Sequence, residues 1–207
     1  MDLASAEGLE LLSISRLADA TGLSKAGVFG HFGSKEDLQI AVVNAAGEDF
    51  TSNVIVPARN AERGLDKLLE LLYDWIDYTH QRDLRGGCFF AAASAEFDAR
   101  PGPVRDAVAY LSDSWMHILE REVRAAIRAD EIYDDTDPMQ MAFELHALPH
   151  QANWGRRLFH WDDAYERAEL GIEHRLRCAV TPHGHDVLER KLAERLEQKQ
   201  AMKATTA

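Results

Sequence analysis

No run of eighteen apolar residues occurs in the 207-residue chain, so the sequence offers no membrane-spanning helix. It does not open with a basic segment followed by an apolar one, the mark of a secretory leader. Cysteine is scarce: Cys88 and Cys178 stand far apart, which excludes a disulfide framework and a zinc-ligand spacing. Two isolated thiols suit a reducing compartment, and the cytoplasm is the expected location. Basic residues are also few. Lys and Arg number 23 against 35 Asp and Glu, a formal net charge of −12 that argues against unspecific attraction to nucleic acid. Strand-like alternation is nearly missing, as are a nucleotide-binding glycine loop, an ordered Ser/His/Asp set and a complete set of metal ligands. Neither an enzyme nor a cofactor is expected.

What is present is helix. The hydrophobic fraction of 46% supplies a sizeable core, and helical periodicity with caps and breakers predicts an all-α fold of about nine helices. Ser13 caps a short helix over 14–21 that ends at Gly22, and Ser24 caps another over 25–32 that ends at Gly33. Ser34 with Asp37 reads as a capping box and opens a helix running towards Pro57. Further helices are expected over 65–79, 88–97, 104–130, 138–161 (with Pro149 inside) and about 163–180. Residues 182–185 read as a breaker, followed by a charged helix over 186–202 on the surface. Three parts follow: 1–45, 46–181 and 182–207.

Two short helices joined by a tight glycine turn, the second tipped with Ser24-Lys25, form the layout of a helix-turn-helix. The free backbone N–H groups at the tip of that second helix attract phosphate, and a hydroxyl and a lysine add donors. By pattern alone this is a weak signal, since many helical hairpins share it. The residues that sharpen it are Leu17-Ala18, Gly22-Leu23-Ser24-Lys25, Phe29-Gly30-His31-Phe32 and Ser34-Lys35-Glu36-Asp37-Leu38, all in register. In these the segment 14–38 resembles the TetR/AcrR family signature. Gly86-Gly87-Cys88-Phe89 and the turn at Pro101–Pro103 are similar to the sensor half of that family, though far less diagnostic.

The resemblance implies an N-terminal helix-turn-helix domain followed by a helical domain that binds a small molecule and dimerises. It implies a repressor of palindromic double-stranded DNA, released by a small-molecule effector. It places Ser15, Arg16, Ser24, Lys25, Gly27, Phe29, His31 and Lys35 on the DNA, mainly at phosphates, and Phe32 and Leu38 in the core. Phe29 is equally open to a packing role. Three departures favour an alternative, a ligand-binding protein of the same fold with weak or lost DNA binding. Phe29 lacks the hydroxyl of the tyrosine usual in relatives, and Gly27 supplies no side chain. Asp2 to Ala6 matches only the last turns of the family's first helix, without a basic arm. Residues 1–50 hold three basic residues against eight acidic ones.

The resemblance also implies an effector pocket lined by Trp75, Tyr78, Phe89, Phe90, Phe97, Tyr110, Trp115, Met116 and Leu119, with His146 and His150 beside it. Taken singly, each of these aromatics reads more readily as plain core, so the pocket belongs to the set and not to one member. His146 and His150 stand four apart on one helical face, but no third ligand joins them, so a pair lining the pocket or the dimer seam is expected rather than a metal site. Phe143, Ala147, Trp154, Leu158, Leu170, His174 and Arg177 are the expected contacts of a homodimer. Such a dimer would set two recognition helices about 34–36 Å apart.

Overall fold

The structure, a computed structural model, describes residues 1–81 and 86–206. Among these, ten α-helices occur and no strand, apart from one isolated bridge between Ile132 and Val180. The first four are α1 (Asp2–Glu7), α2 (Ile14–Thr21), α3 (Lys25–Phe32) and α4 (Lys35–Phe50). Each of the last three is capped by the serine before it. Ser13 Oγ accepts from the amide of Arg16 at 3.1 Å, Ser24 Oγ from that of Gly27 at 3.1 Å, and Ser34 Oγ from that of Asp37 at 3.0 Å. Gly22 and Gly33 take φ of 70° and 80°, a region costly for residues with a Cβ, and so end α2 and α3. The capping box at Ser34 takes a different form from the one expected. Asp37, one methylene shorter than Glu, accepts from the Ser34 hydroxyl at 2.6 Å.

The helix expected to run from Lys35 towards Pro57 is interrupted. After α4 the chain passes through a wide π-turn, Thr51–Ile55, in which Val56 N–H donates to the Thr51 carbonyl at 2.9 Å. A 3₁₀ turn, Pro57–Asn60, follows. Wide turns of this kind concentrate at functional sites. The remaining helices are α5 (Leu65–Gln81), α6 (Phe89–Phe97), α7 (Pro103–Arg128), α8 (Pro138–Leu158), α9 (Ala164–Arg177) and α10 (Pro182–Thr206). Asp137 caps α8 through the amides of Met139 and Gln140, and that helix continues through Pro149.

The expected breaker over 182–185 is instead the first turn of α10. Thr181 Oγ1 accepts from Gly184 N–H at 3.0 Å and its carbonyl accepts from His185 N–H at 2.8 Å. Pro182 occupies the first helical position, where no N–H is needed. Gly184 is required by packing, because a Cβ there would lie 1.8 Å from the Glu131 carbonyl oxygen.

Two apolar clusters organise the molecule. The larger joins α5, α7, α8 and α9 with Leu188 of α10. The smaller joins Ala4, Leu9 and Leu12 to Leu38, Val43 and Ala46 of α4, to Phe89, Ala93 and Phe97 of α6 and to Val104 and Val108 of α7. The helix-turn-helix therefore shares a core with two helices of the second half.

α10 is docked by charge as well as by Leu188. Arg195, its side chain 8% exposed, makes two bonds to the Asp77 carboxylate at 2.7 and 2.8 Å and two to Glu169 at 2.5 and 3.1 Å. Its guanidinium also lies 4.8 Å from the Tyr73 ring centre. Lys191 pairs with Glu70, and with Glu194 at 2.9 Å. Removing one partner of a buried ion pair strands the other. Arg195→Ala is therefore expected to lower stability by about 3 kcal/mol in urea unfolding. A loss near zero would mean that α10 contributes little to the folded state.

Candidate functional site

Between Leu23 and His31 every residue except Val28 is exposed, so α3 presents a free face. Ser24, Lys25, Gly27, Phe29 and His31 lie on that stretch, with Ser15 exposed at the start of α2. Phe29 is 58% exposed, which removes the packing role and leaves an apolar ring on the surface. Phe32 is half-buried and Leu38 buried, as core positions should be. The cations are less free than the sequence suggests. Arg16 forms a two-pronged pair with Glu7, and Lys35 Nζ lies 2.8 Å from Glu10. Hydrogen bonding to Lys35 holds the Glu10 carboxyl below its ordinary pKa. Among the described residues Lys25 alone of the three has no carboxylate partner.

The face is tied to the second half by a carboxylate. Glu96 of α6 accepts from the amides of Leu9 and Glu10 at 2.7 and 3.1 Å, while Gln39 of α4 donates to the Leu9 carbonyl at 2.7 Å. The joint is tight. A Cβ at Gly8, where φ is 96°, would meet Glu96 at 2.7 Å, and one at Gly86 would lie 1.6 Å from the Ser5 carbonyl oxygen. Neither Glu96 nor Gln39 stood out in the sequence, where each is one polar residue in a helical segment.

Behind this joint lies a cavity of about 340 Å³, walled by the end of α4 and the π-turn (Gly47, Phe50, Thr51, Ile55), by α5, α6, α7 and α8. Four rings follow one another across it. Trp115 to Trp75, Trp75 to His146 and His146 to His150 are separated by 5.6, 5.0 and 5.6 Å between centres. Phe50 lies edge-on to Trp115 at 5.0 Å. Burial, and secondarily the neighbouring His150, pushes the His146 pKa down to about 4. Partial burial lowers the His150 pKa as well. No group of three His, Cys, Asp or Glu side chains among the described residues comes together to hold a metal.

Of the expected pocket residues, Trp75, Phe90, Tyr110, Trp115, His146 and His150 reach this wall, and the other five do not. Phe89 and Phe97 point into the core shared with the helix-turn-helix. Residues 89, 93 and 97 lie on one face of α6, whereas Phe90, Ala91 and Ser94 lie on the other and line the cavity. Leu119 is fully buried in the main core, with Met116 packed against it. The Tyr78 ring packs edge-on to Phe50 outside the wall, and its hydroxyl donates to Asp49 at 2.8 Å. The cavity also draws on Cys88, Ser112 and Ser114, which the sequence reading left out.

On the outer side of α8 and α9, Phe143, Ala147, Trp154, Leu158, Leu170 and His174 are all exposed. Arg177 is engaged within the chain, by Glu173 at 2.9 Å and by Glu189.

An all-helical molecule with a helix-turn-helix at one end and a largely apolar cavity behind it has the architecture of a ligand-responsive regulator. Residues 1–42 match the family model described as bacterial regulatory proteins, tetR family, and residues 64–172 match that of the tetracyclin repressor-like C-terminal domain. The chain belongs to the TetR family, as a transcriptional regulator with a DNA-binding helix-turn-helix domain and a ligand-binding domain. Among solved structures it is similar to a TetR transcriptional regulator from Chloroflexus aurantiacus J-10-FL, 24% identical over 86% of this chain and 91% of that one, with a TM-score of 0.75. A TetR-family regulator from Cytophaga hutchinsonii is 22% identical over 87% and 90%, with a TM-score of 0.76. AibR, solved in complex with isovaleryl coenzyme A and operator DNA, is 18% identical over 84% and 90%, with a TM-score of 0.64. At these identities the likeness establishes the fold. No curated protein matches the chain by sequence.

The depressed His146 pKa has a consequence for stability. Between about pH 6.5 and 4 the unfolded chain binds a proton at this position and the folded chain does not, so stability falls as pH drops through that window. An NMR titration is expected to show His146 neutral down to about pH 5, and the fall in Tm between pH 6.5 and 5 should be shallower in His146→Gln. A His146 midpoint above 6 would contradict this.

Proposed function

We propose that the protein is a homodimeric repressor whose hold on a palindromic operator is weakened when a small effector enters the cavity. The carrying observation is that α4 belongs to both ends of the molecule. Leu38, Val43 and Ala46 pack in the core of the DNA-reading domain, while Gly47 and Phe50 wall the cavity. A ligand that favours one arrangement of the π-turn therefore biases the orientation of α3, a population shift that needs different affinities for the two states. AibR, of similar fold, was solved in complex with isovaleryl coenzyme A and operator DNA, which supports a protein of this fold engaging both a small molecule and DNA.

Ser15, Ser24, Lys25, Gly27, Phe29 and His31 form the reading surface, with Lys25 as the leading phosphate contact. Gly27 offers no side chain, and its amide is already engaged by Ser24. Arg16 and Lys35 reach phosphate only by giving up Glu7 and Glu10, so part of the DNA affinity is offset within the protein. The apolar stripe Phe143, Ala147, Trp154 and Leu158, with Leu170 and His174 of α9, forms the contact between two copies. Exposed apolar surface of this extent marks an interaction site.

Binding to the chain's own promoter DNA by fluorescence anisotropy tests the reading. Lys25→Ala should weaken binding across sequences and reduce the salt slope by about 0.9. Glu10→Gln, which frees Lys35, should strengthen it. The absence of any specific complex at low salt would leave a ligand-binding protein of this fold that does not read DNA. Phe143→Ala combined with Trp154→Ala should move the protein from dimer towards monomer in sedimentation velocity. An unchanged mass would place the interface elsewhere.

A further inference from the structure

The outward face of α3 is short of hydrogen-bonding groups. The one buried residue of this helix is Val28. At about 100° per residue, the side opposite Val28 carries Ala26 and Gly30, flanked by Gly27 on one side and Phe29 on the other. All four are exposed, Phe29 by 58%. The face thus consists of one methyl group, two bare lengths of backbone and one phenyl ring. Arginine, asparagine, glutamine and the acidic residues, which read base edges by hydrogen bonds, do not occur from Leu23 to Phe32. The polar side chains that do occur are placed elsewhere. Ser24 caps the helix through the Gly27 amide at 3.1 Å, Lys25 stands in its first turn, and His31 lies edge-on to Phe32, ring centres 4.6 Å apart.

Packing within the protein does not call for the two glycines. Neither has a positive φ. A Cβ at Gly30 would meet nothing within 4 Å, and one at Gly27 would meet only the capping Ser24 hydroxyl, at 3.1 Å. Glycine inside a helix is weaker than alanine, so both lower stability without an internal contact that needs them. Bare backbone does permit the close approach of an outside body, and in a TetR-family regulator the body that meets this helix is DNA. The floor of the major groove presents many donors and acceptors but a single hydrocarbon group, the C5 methyl of thymine. A phenyl ring seated there gains from that methyl and from no other base edge.

We infer that α3 reads its operator by apolar contact: the face of Ala26 and Gly30 seats closely against the base edges, and the Phe29 ring packs on a thymine C5 methyl in each half-site. This rests on the reading of the protein as a dimeric, DNA-binding repressor. Lys25 then supplies phosphate affinity common to all sequences, and Phe29 supplies discrimination among them.

The test uses the full chain and a synthetic duplex of the promoter segment that it protects in a footprint. Each thymine is replaced in turn by uracil, which lacks only the C5 methyl, and affinities are read by fluorescence anisotropy at constant salt. One symmetric pair of thymines is expected to stand out. Loss of its methyls should weaken binding about fourfold in one half-site and about fifteenfold in both. Phe29→Ala should weaken binding to the thymine duplex by a similar factor and lose the distinction between thymine and uracil at that pair, while Phe29→Leu keeps part of it. Gly30→Leu, at a position with free space for a side chain, should leave Tm unchanged or higher yet weaken DNA binding about tenfold or more. A duplex in which no uracil weakens binding, discrimination that survives in Phe29→Ala, or a Gly30→Leu variant that binds like the unaltered chain would each overturn the inference and leave the repressor reading standing. No protected segment at low salt would sink the repressor reading and this inference with it.

Discussion

The Glu96 carboxylate, accepting the amides of Leu9 and Glu10, is the interaction on which the arrangement of the two halves depends. It sits on α6, whose other face supplies Phe90, Ala91 and Ser94 to the cavity. Gln39 holds the same Leu9 from α4, whose far end also walls the cavity. The segment leading into the reading motif is thus gripped by two helices, each with one face towards the cavity. Gly8 and Gly86 permit the approach, since any Cβ would collide at both places. Charge-assisted bonds from a carboxylate to backbone amides are stronger than neutral ones and fix a loop in one place. The cavity wall and the exposed face of α3 are therefore joined through packed elements.

The acidic balance of the chain acquires a structural meaning at that face. Glu7 and Glu10 are placed against Arg16 and Lys35, where phosphates compete for the same cations. Such partly exposed pairs contribute little to stability but do set what an incoming anion must displace. In the repressor proposed above, affinity rests on a few contacts, chiefly from Lys25 and the N-terminal end of α3.

Much of the fold was legible because its determinants are local. Ser13, Gly22, Ser24, Gly33 and Asp137 act within one turn of the helices they begin or end, so their roles follow from neighbours a few residues away. The failures have the same logic in reverse. Thr181 and Pro182 start α10 where the sequence suggests a break, because the helix is stabilised by Leu188 and by Arg195 against Asp77 and Glu169. The π-turn at Thr51–Ile55 leaves no local mark.

The cavity was legible as a set of aromatics and not member by member. One residue is 100° of rotation about a helix axis, so Phe89 and Phe90 face different cores although they adjoin in sequence. The sequence by itself determined the helices, their caps and the motif in register from Leu17 to Leu38, since these depend on contacts between residues one to four apart. Tertiary structure alone decided which aromatics bound the cavity, which cations on the reading face are already paired, and that Glu96 ties the two halves together. Those depend on how whole helices are rotated and docked, through contacts nearly ninety residues apart such as Glu96 with Leu9.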